Sequence, residues 1–250
     1  MLDRNEVYYG DWIDKLKEID DRCIDLIVID PPYIVTKEKW DRQEVVNGRL
    51  SSELFRVGKE SCSLYVWCGI GEQSQSLIRW FPIFSKDWHF KDLITWKKRR
   101  GIGMRRGWLY VREEIMWFVK DNEKFVWNIE KQYDYNLKNE FKEGFGGDDC
   151  LSDFKRLTNV WTDIPEILSD KGIEHYTPKP LEALKRIIRV HTNKGDLILD
   201  CFAGSGSSGI ACYDIGRDFI LFEKDREIFL STESRIRKMK ARVKGFGFNE

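Results

Sequence analysis

The sequence predicts an α/β fold built on a mostly parallel sheet, on three observations. Four short runs, "IDLIVI", "SLYVWC", "DLILD" and "FILFE", are dominated by apolar residues, as strands covered on both faces are. Stretches with apolar residues at helical spacing lie between them. A glycine-rich turn, "GSGSSG", directly follows the third run and opens a helical stretch, the arrangement by which parallel sheets bind ligands at the carboxyl ends of their strands.

In chain order, residues 12–19 read as a short helix and 24–30 as an interior strand. "SLYVWC" (63–68) is a second buried strand, followed by helical spacing at Leu77, Ile78, Phe81 and Phe84. "DLITWKK" and "EEIMWFVK" read as two strands joined across a basic loop, which makes that loop a projecting hairpin. Residues 121–172 change character: Asn, Asp, Lys, Gly and aromatics dominate and periodicity fades, so the stretch reads as an insertion. "PLEALKRIIRV" returns to helical spacing, with Pro180 suited to the first turn. Then come a strand (196–200), a helix (207–216), a strand (219–223) and a closing helix (226–243). The sequence shows no internal repeat and no low-complexity tract.

A chain of 250 residues can build one large core with a modest insertion. No apolar stretch approaches the roughly 18 residues of a membrane span, and the start "MLDRNEVYYGDWIDKL" lacks the pattern of a signal peptide, so the expectation is a cytoplasmic protein with no membrane partner. Six cysteines form no C-x-x-C pair, which argues against a zinc site or a disulfide framework. Formal net charge is zero, but two segments break the balance. The tail "RIRKMKARVK" alternates basic residues with Ile236, Met239 and Val243, as a solvated helix face does. "WKKRRGIGMRRGWLYVR" gathers Lys97, Lys98, Arg99, Arg100, Arg105 and Arg106 between Trp96 and Trp108 with no acid, and reads as a surface for gripping phosphates.

"LDCFAGSGSSG" places Gly204, Gly206 and Gly209 at G-x-G-x-x-G spacing after a strand, with Glu223 closing the next strand. In that context glycine allows tight turning and close backbone approach, and the acid accepts hydrogen bonds from ribose hydroxyls. A dinucleotide oxidoreductase is disfavoured by position: the 27 residues after Glu223 are too few for its remaining βα units, so the other strands must come from earlier in the chain. The earlier strand ends in "DPPY", residues 30–33. Proline after a strand has no N–H to give and holds the preceding residue extended, leaving carbonyls free at the sheet edge. Such an acceptor-rich edge suits a substrate bringing an exocyclic amine, with Tyr33 as a flat face for a base. An Asp/Asn/Ser-Pro-Pro-aromatic tetrad arises by chance in only about one chain of this length in a hundred.

Together "GDWIDKLKEIDDRCIDLIVIDPPY", "HYTPKPLEALKRII" and "LDCFAGSGSSGIACYDIGRDFILFE" resemble, in that order, the catalytic D-P-P-Y segment, the H-x-T-x-K-P segment and the F-x-G-x-G cofactor segment of the β group of DNA amino-methyltransferases. The resemblance covers most of the chain. It implies a Rossmann-like, mostly parallel sheet with one antiparallel strand, helices on both faces and a target-recognition insertion. It also implies S-adenosylmethionine as cofactor and double-stranded DNA as partner, with a cognate restriction endonuclease and a homodimer as further candidates. By the same resemblance Asp30, Pro31, Pro32 and Tyr33 are catalytic, with Trp40 beside Tyr33 at a flipped base. Asp11, Thr177, Lys179, Asp200, Phe202, Gly204, Gly206 and Glu223 line the cofactor pocket. Residues 1–120 and 173–250 are then the catalytic and cofactor halves, and 121–172 the recognition segment. Asp at the first motif position and Tyr at the fourth favour adenine N6. Cytosine N4, an RNA substrate and a catalytically silent DNA-binding relative are the alternatives. Two departures stand out: Glu113 occupies a place where the family more often has His, and "SGSSG" replaces the commoner Gly-Ser-Gly-Thr-Thr.

Overall fold

The computed structural model describes all residues except 1, 36–40, 42–43, 72–73, 103–105, 107, 129–132, 139–153, 167–177 and 246–250, and for 99–102, 133–138, 154–156 and 242–245 it describes the backbone alone. The elements run β1 (Glu6–Tyr9), α1 (Trp12–Lys15) with a 3₁₀ turn (Leu16–Glu18), β2 (Ile24–Ile29), α2 (Gly48–Val57), β3 (Gly58–Cys68), α3 (Ser76–Phe84), β4 (His89–Ile102) and β5 (Tyr110–Val119). They continue with β6 (Tyr133–Lys138), β7 (Phe154–Arg156), β8 (Val160–Trp161), α4 (Leu181–His191), β9 (Leu197–Asp200), α5 (Ser207–Asp214), β10 (Asp218–Glu223) and α6 (Arg226–Gly245).

Eight strands form one sheet in the order β1-β10-β9-β2-β3-β5-β4-β8. Every pairing is parallel except those of β5, which runs against both β3 and β4. The fold is therefore the Rossmann-like sheet with one antiparallel strand that the sequence predicts. Strand alternation divides the core into two layers. Ile27 and Ile29, Leu64 and Val66, and Met116 and Phe118 face α1, α2 and α3. Leu26 and Val28, Tyr65 and Trp67, and Ile115 face α4, α5 and α6. At roughly 25 cal/mol per Å² of apolar surface, this two-sided burial is the main stabilising contribution.

Three elements depart from the sequence reading. The helix expected over 12–19 is one α turn followed by a 3₁₀ turn, because Leu16 and Ile19 are drawn into the core and the chain must bend toward β2. Helix α2 was not anticipated, although Asn47 caps it by accepting from Leu50 N at 3.1 Å and Leu50, Leu54 and Val57 make its buried stripe. The basic hairpin exists, but residues 97–102 continue β4 and are not loop. Among the described residues, the segment 121–172 contributes β6 and β7, which pair with each other as a separate two-stranded sheet, and β8, which joins the main sheet beside β4. Closing helix α6 packs Ile236 and Met239 on the core, the apolar positions expected of the basic tail. Among the described residues no helix is long and apolar enough to cross a membrane.

Candidate active site

Strands β2, β9 and β10 are neighbours running the same way, so their carboxyl ends deliver Asp30, Asp200 and Glu223 to one edge. There they open onto a cleft of about 570 Å³ whose walls include Tyr33, Lys179, Phe202 and Gly204. The motif at the start of the chain and the motif near its end thus share one site. Parallel sheets place their ligand crevice at this edge.

On the β2 side, the D-P-P-Y turn is held from several directions. Ile34 takes a positive φ of 62°, an unusual conformation for a β-branched residue. It is fixed there by the buried Asp41 carboxylate, which accepts from Ile34 N at 2.6 Å and Val35 N at 2.8 Å. Arg79 donates to the Tyr33 carbonyl at 3.2 Å and pairs with Glu44. The Tyr33 ring meets Trp80 edge to face at 5.8 Å, and its hydroxyl donates to Asp30 Oδ1 at 2.8 Å. Burial and the adjacent Asp30 charge push the Tyr33 phenol well up, so it remains a proton donor in that bond.

Lys179 lies at the centre of this side. Its Nζ is 3.2 Å from Asp30 Oδ1 and 2.7 Å from Glu113 Oε2, and it sits over the rings of Trp67 and Tyr33. Lys98 extends the chain of charges, with Nζ 2.6 Å from Glu113 Oε1 and 3.7 Å from Glu166 Oε1. Burial alone would raise Glu113, but Lys179 and Lys98 outweigh it and bring the carboxyl down to about 2. Burial likewise works against a charged Lys179, yet Asp30 and Glu113 hold the ammonium above its ordinary value. For Asp30 burial prevails and raises the carboxyl, with Lys179 opposing.

The β9 and β10 side is a glycine loop pinned by backbone and carboxylates. Gly204 and Gly206 have φ of 49° and 74°, the left-handed region open to glycine. A side chain at Gly206 would also meet Thr232 Cγ2 at 2.7 Å. From α6, Thr232 donates its hydroxyl to the Gly204 carbonyl and Arg235 donates to the Ser205 carbonyl at 2.8 Å. Glu223 accepts from Gly204 N at 2.9 Å and Asp225 N at 2.8 Å, and burial raises its carboxyl. Asp200 accepts from Ser208 Oγ at 2.5 Å and Phe202 N at 2.9 Å, and burial pushes it up to about 7.

Some residues sit elsewhere than expected. Asp11 is beside the cleft, but its carboxylate caps α1 by accepting from Ile13 N at 3.0 Å. Lys179 lines the cleft, on its D-P-P-Y side between Asp30 and Glu113. Lys98 does not face outward with the phosphate-gripping group: strand alternation turns it inward onto Glu113. Trp96, read as a flank of the DNA-contacting loop, is 3% exposed and donates its indole N–H to the Ile164 carbonyl at 2.9 Å, so it is core. Trp108, by contrast, is 93% exposed, with Lys97 and Arg106 also at the surface. Trp40, Arg105, Thr177 and the His175 of the H-x-T-x-K-P segment lie outside the described residues, as do the side chains of Arg99 and Arg100. The sequence reading missed Asp41, Arg79 and the buried Trp67; an isolated Asp or Arg in a loop carries no local signal of such a role.

The cleft fits S-adenosylmethionine by the chemistry of its donors and walls. The open backbone at Gly204, a buried carboxylate at the end of β10, and the apolar Phe202 and Ile228 are what a nucleoside with a charged tail requires. Its volume is in the ordinary range for a cofactor pocket.

Comparison with known proteins agrees with this geometry. A family model described as DNA methylase, of the N6/N4 methyltransferases, matches residues 24–234. Type II methyltransferase M1.MboII of Moraxella bovis is 30% identical over 248 residues, covering 88% of this chain and 92% of the relative. DNA adenine methyltransferase YhdJ of Escherichia coli is 28% identical over 243 residues, covering 88% and 79%. Among solved structures, the M1.HpyAVI complex with SAM superposes with a TM-score of 0.63 at 21% identity, covering 92% of this chain and 98% of that one. The cytosine-N4-specific PvuII DNA methyltransferase does so at 0.68 and 16% identity, covering 99% and 95%. At these identities the structures speak for the fold, while the family match takes in most of the sequence and both halves of the cleft: the chain belongs to the N6/N4 DNA methylase family.

Proposed function

We propose that this DNA methylase transfers the methyl group of S-adenosylmethionine to the N6 amino group of adenine in double-stranded DNA, after the base is flipped from the helix. The observation that carries the reading is the single cleft in which the D-P-P-Y turn faces the glycine loop and Glu223. The donor brings an electrophilic methyl group on a sulfonium. Glu223 would hold its ribose hydroxyls, Phe202 and Ile228 its adenine, and Gly204 and Gly206 admit it close to the backbone.

An aromatic amino nitrogen is a poor nucleophile because its lone pair is delocalised into the ring. In this reading Asp30 and the Pro31 carbonyl accept hydrogen bonds from the amino group, which localises the lone pair and stabilises the positive charge that grows on nitrogen. Tyr33 offers its ring to the flipped base. Both acceptors are held in place before the substrate arrives, so alignment adds a proximity contribution. Extrusion of the base costs a few kcal/mol. The exposed Trp108 and the basic side chains Lys97 and Arg106 on the β4–β5 hairpin are suited to stack on and grip the duplex, with residues 121–172 as the recognition segment. The relative YhdJ, named as a DNA adenine methyltransferase, supports the choice of base.

The test is incubation of the protein with methyl-labelled S-adenosylmethionine and unmethylated genomic DNA, followed by nucleoside analysis, with Asp30→Ala in parallel. N6-methyladenine from wild type, reduced at least a thousandfold in the variant, supports the reading, since oxyanion-type stabilising groups are worth about 10² to 10³ and Asp30 is also a positioning contact. N4-methylcytosine would overturn the base assignment and keep the mechanism.

A further inference from the structure

Among the described residues, Asp30 is engaged on one oxygen. Tyr33 Oη and Lys179 Nζ both contact Oδ1, at 2.8 and 3.2 Å, and 34% of the side-chain surface stays open to the cleft. Among the described residues no hydrogen bond falls on Oδ2. Lys179 is nearer to Glu113 than to Asp30, at 2.7 against 3.2 Å, and Glu113 is itself anchored by Lys98 at 2.6 Å. Glu166 lies 3.7 Å beyond Lys98. The ammonium is thus shared between two carboxylates that both line the cleft, and it lies nearer to Glu113 than to Asp30.

We propose that Glu113 is a positioning residue for methyl transfer: it draws Lys179 aside and balances its charge, so that Asp30 keeps an oxygen free for the target amino group. The proposal rests on the methyltransferase reading of the same cleft. Without Glu113, Lys179 would close onto Asp30 alone, occupying the acceptor and setting an unbalanced positive charge beside a nitrogen that becomes positive during reaction. With it, Lys179 stands between the carboxylates of Asp30 and Glu113, and Lys98 between those of Glu113 and Glu166, so the field of the Lys179 ammonium is offset. The groups around Asp30 are Tyr33 on its own turn with Cys68 of β3 beside it, Lys179 ahead of α4, Glu113 on β5 with Lys98 of β4 and Glu166 behind it, and Asp200 at the end of β9.

Two variants give opposite signs. Glu113→Gln removes a negative charge that raises Asp30, so the acidic limb of the kcat–pH profile moves to lower pH while the plateau falls about tenfold. Lys98→Gln removes a positive charge from the same chain, so its limb moves to higher pH. KM for S-adenosylmethionine stays within about threefold of wild type in both, because these residues pair with each other and with Lys179 and not with the glycine loop. A merely structural role would lower the plateau of either variant and leave both limbs in place. Limbs unmoved, or moved in the same direction, would overturn the proposal. Wild type that methylates no DNA would remove the methyltransferase reading and this proposal with it. Wild type that is active beside a Glu113→Gln enzyme of unchanged profile would remove this proposal alone.

Discussion

Replacing Asp200 with asparagine should change how stability depends on pH. Burial lifts the Asp200 carboxyl from 3.8 to about 7, against hydrogen bonds from Ser208 and the Phe202 amide that favour its charge. The folded state therefore holds the proton more tightly than the unfolded chain does. Stability from this group is full below pH 4 and is lost as pH rises through 7. Three pKa units at about 1.36 kcal/mol each make the whole effect about 4 kcal/mol, of which about 2.5 kcal/mol falls between pH 5 and pH 8. Asparagine has nearly the same shape, still accepts from the Phe202 amide and can donate to Ser208, but does not titrate. Asp30 and Glu223 are also raised by burial and shift stability in the same direction, but they are present in both proteins and largely cancel in the comparison. Urea unfolding of wild type and Asp200→Asn at pH 5, 6, 7 and 8 should show wild type losing about 2.5 kcal/mol relative to the variant. A difference that stays constant across that range would refute the reasoning, because it would mean that the buried carboxyl does not change its charge there.

Gly206→Ala meets both a left-handed backbone and Thr232 Cγ2 at 2.7 Å, so it should lose about 2–4 kcal/mol in urea unfolding, together with most of its affinity for S-adenosylmethionine. A loss below about 1 kcal/mol would show that α6 gives way easily. Neutralising Lys97 and Arg106 together should lower the slope of log affinity for DNA against log salt by about 1.8, close to 0.9 per phosphate contact, measured by titration at several salt concentrations. An unchanged slope would return the hairpin to an ordinary solvated surface.

What the sequence made legible is the part written in local chemistry. Apolar runs of strand length, a glycine loop at a strand end and an acid closing the next strand were enough to bring Asp30, Asp200 and Glu223 to one edge, because a parallel sheet leaves few ways to arrange them. Less legible were features set by tertiary contact. Strand β1 has only four residues and gains its stability from pairing with β10. Asp41 reads as a surface acid until the turn at Ile34 folds over it and leaves two amides to be satisfied. The 3₁₀ turn after α1 exists because the core claims Leu16 and Ile19, which no local propensity states.

The basic run "WKKRR" shows how a single error of period hides a site. As a loop, all its charges can face solvent, and that makes it a phosphate surface. As the end of β4, its side chains must alternate, so Lys98 shares the inward face with the buried Trp96 while Lys97 points out. An inward lysine needs an acid within reach, and the register supplies it: Trp96 stands opposite Glu113 on β5. Once Glu113 is required there, its other oxygen becomes available to Lys179, and the charge chain reaches Asp30. A glutamate at this place, where the resembling family more often has His, suits the lysines on either side of it, since a neutral imidazole would leave Lys179 with Asp30 and Lys98 with its longer 3.7 Å contact to Glu166. Glu113→His should accordingly be tolerated only when Lys98 is replaced as well, which the stability and kcat of the single and double variants would decide.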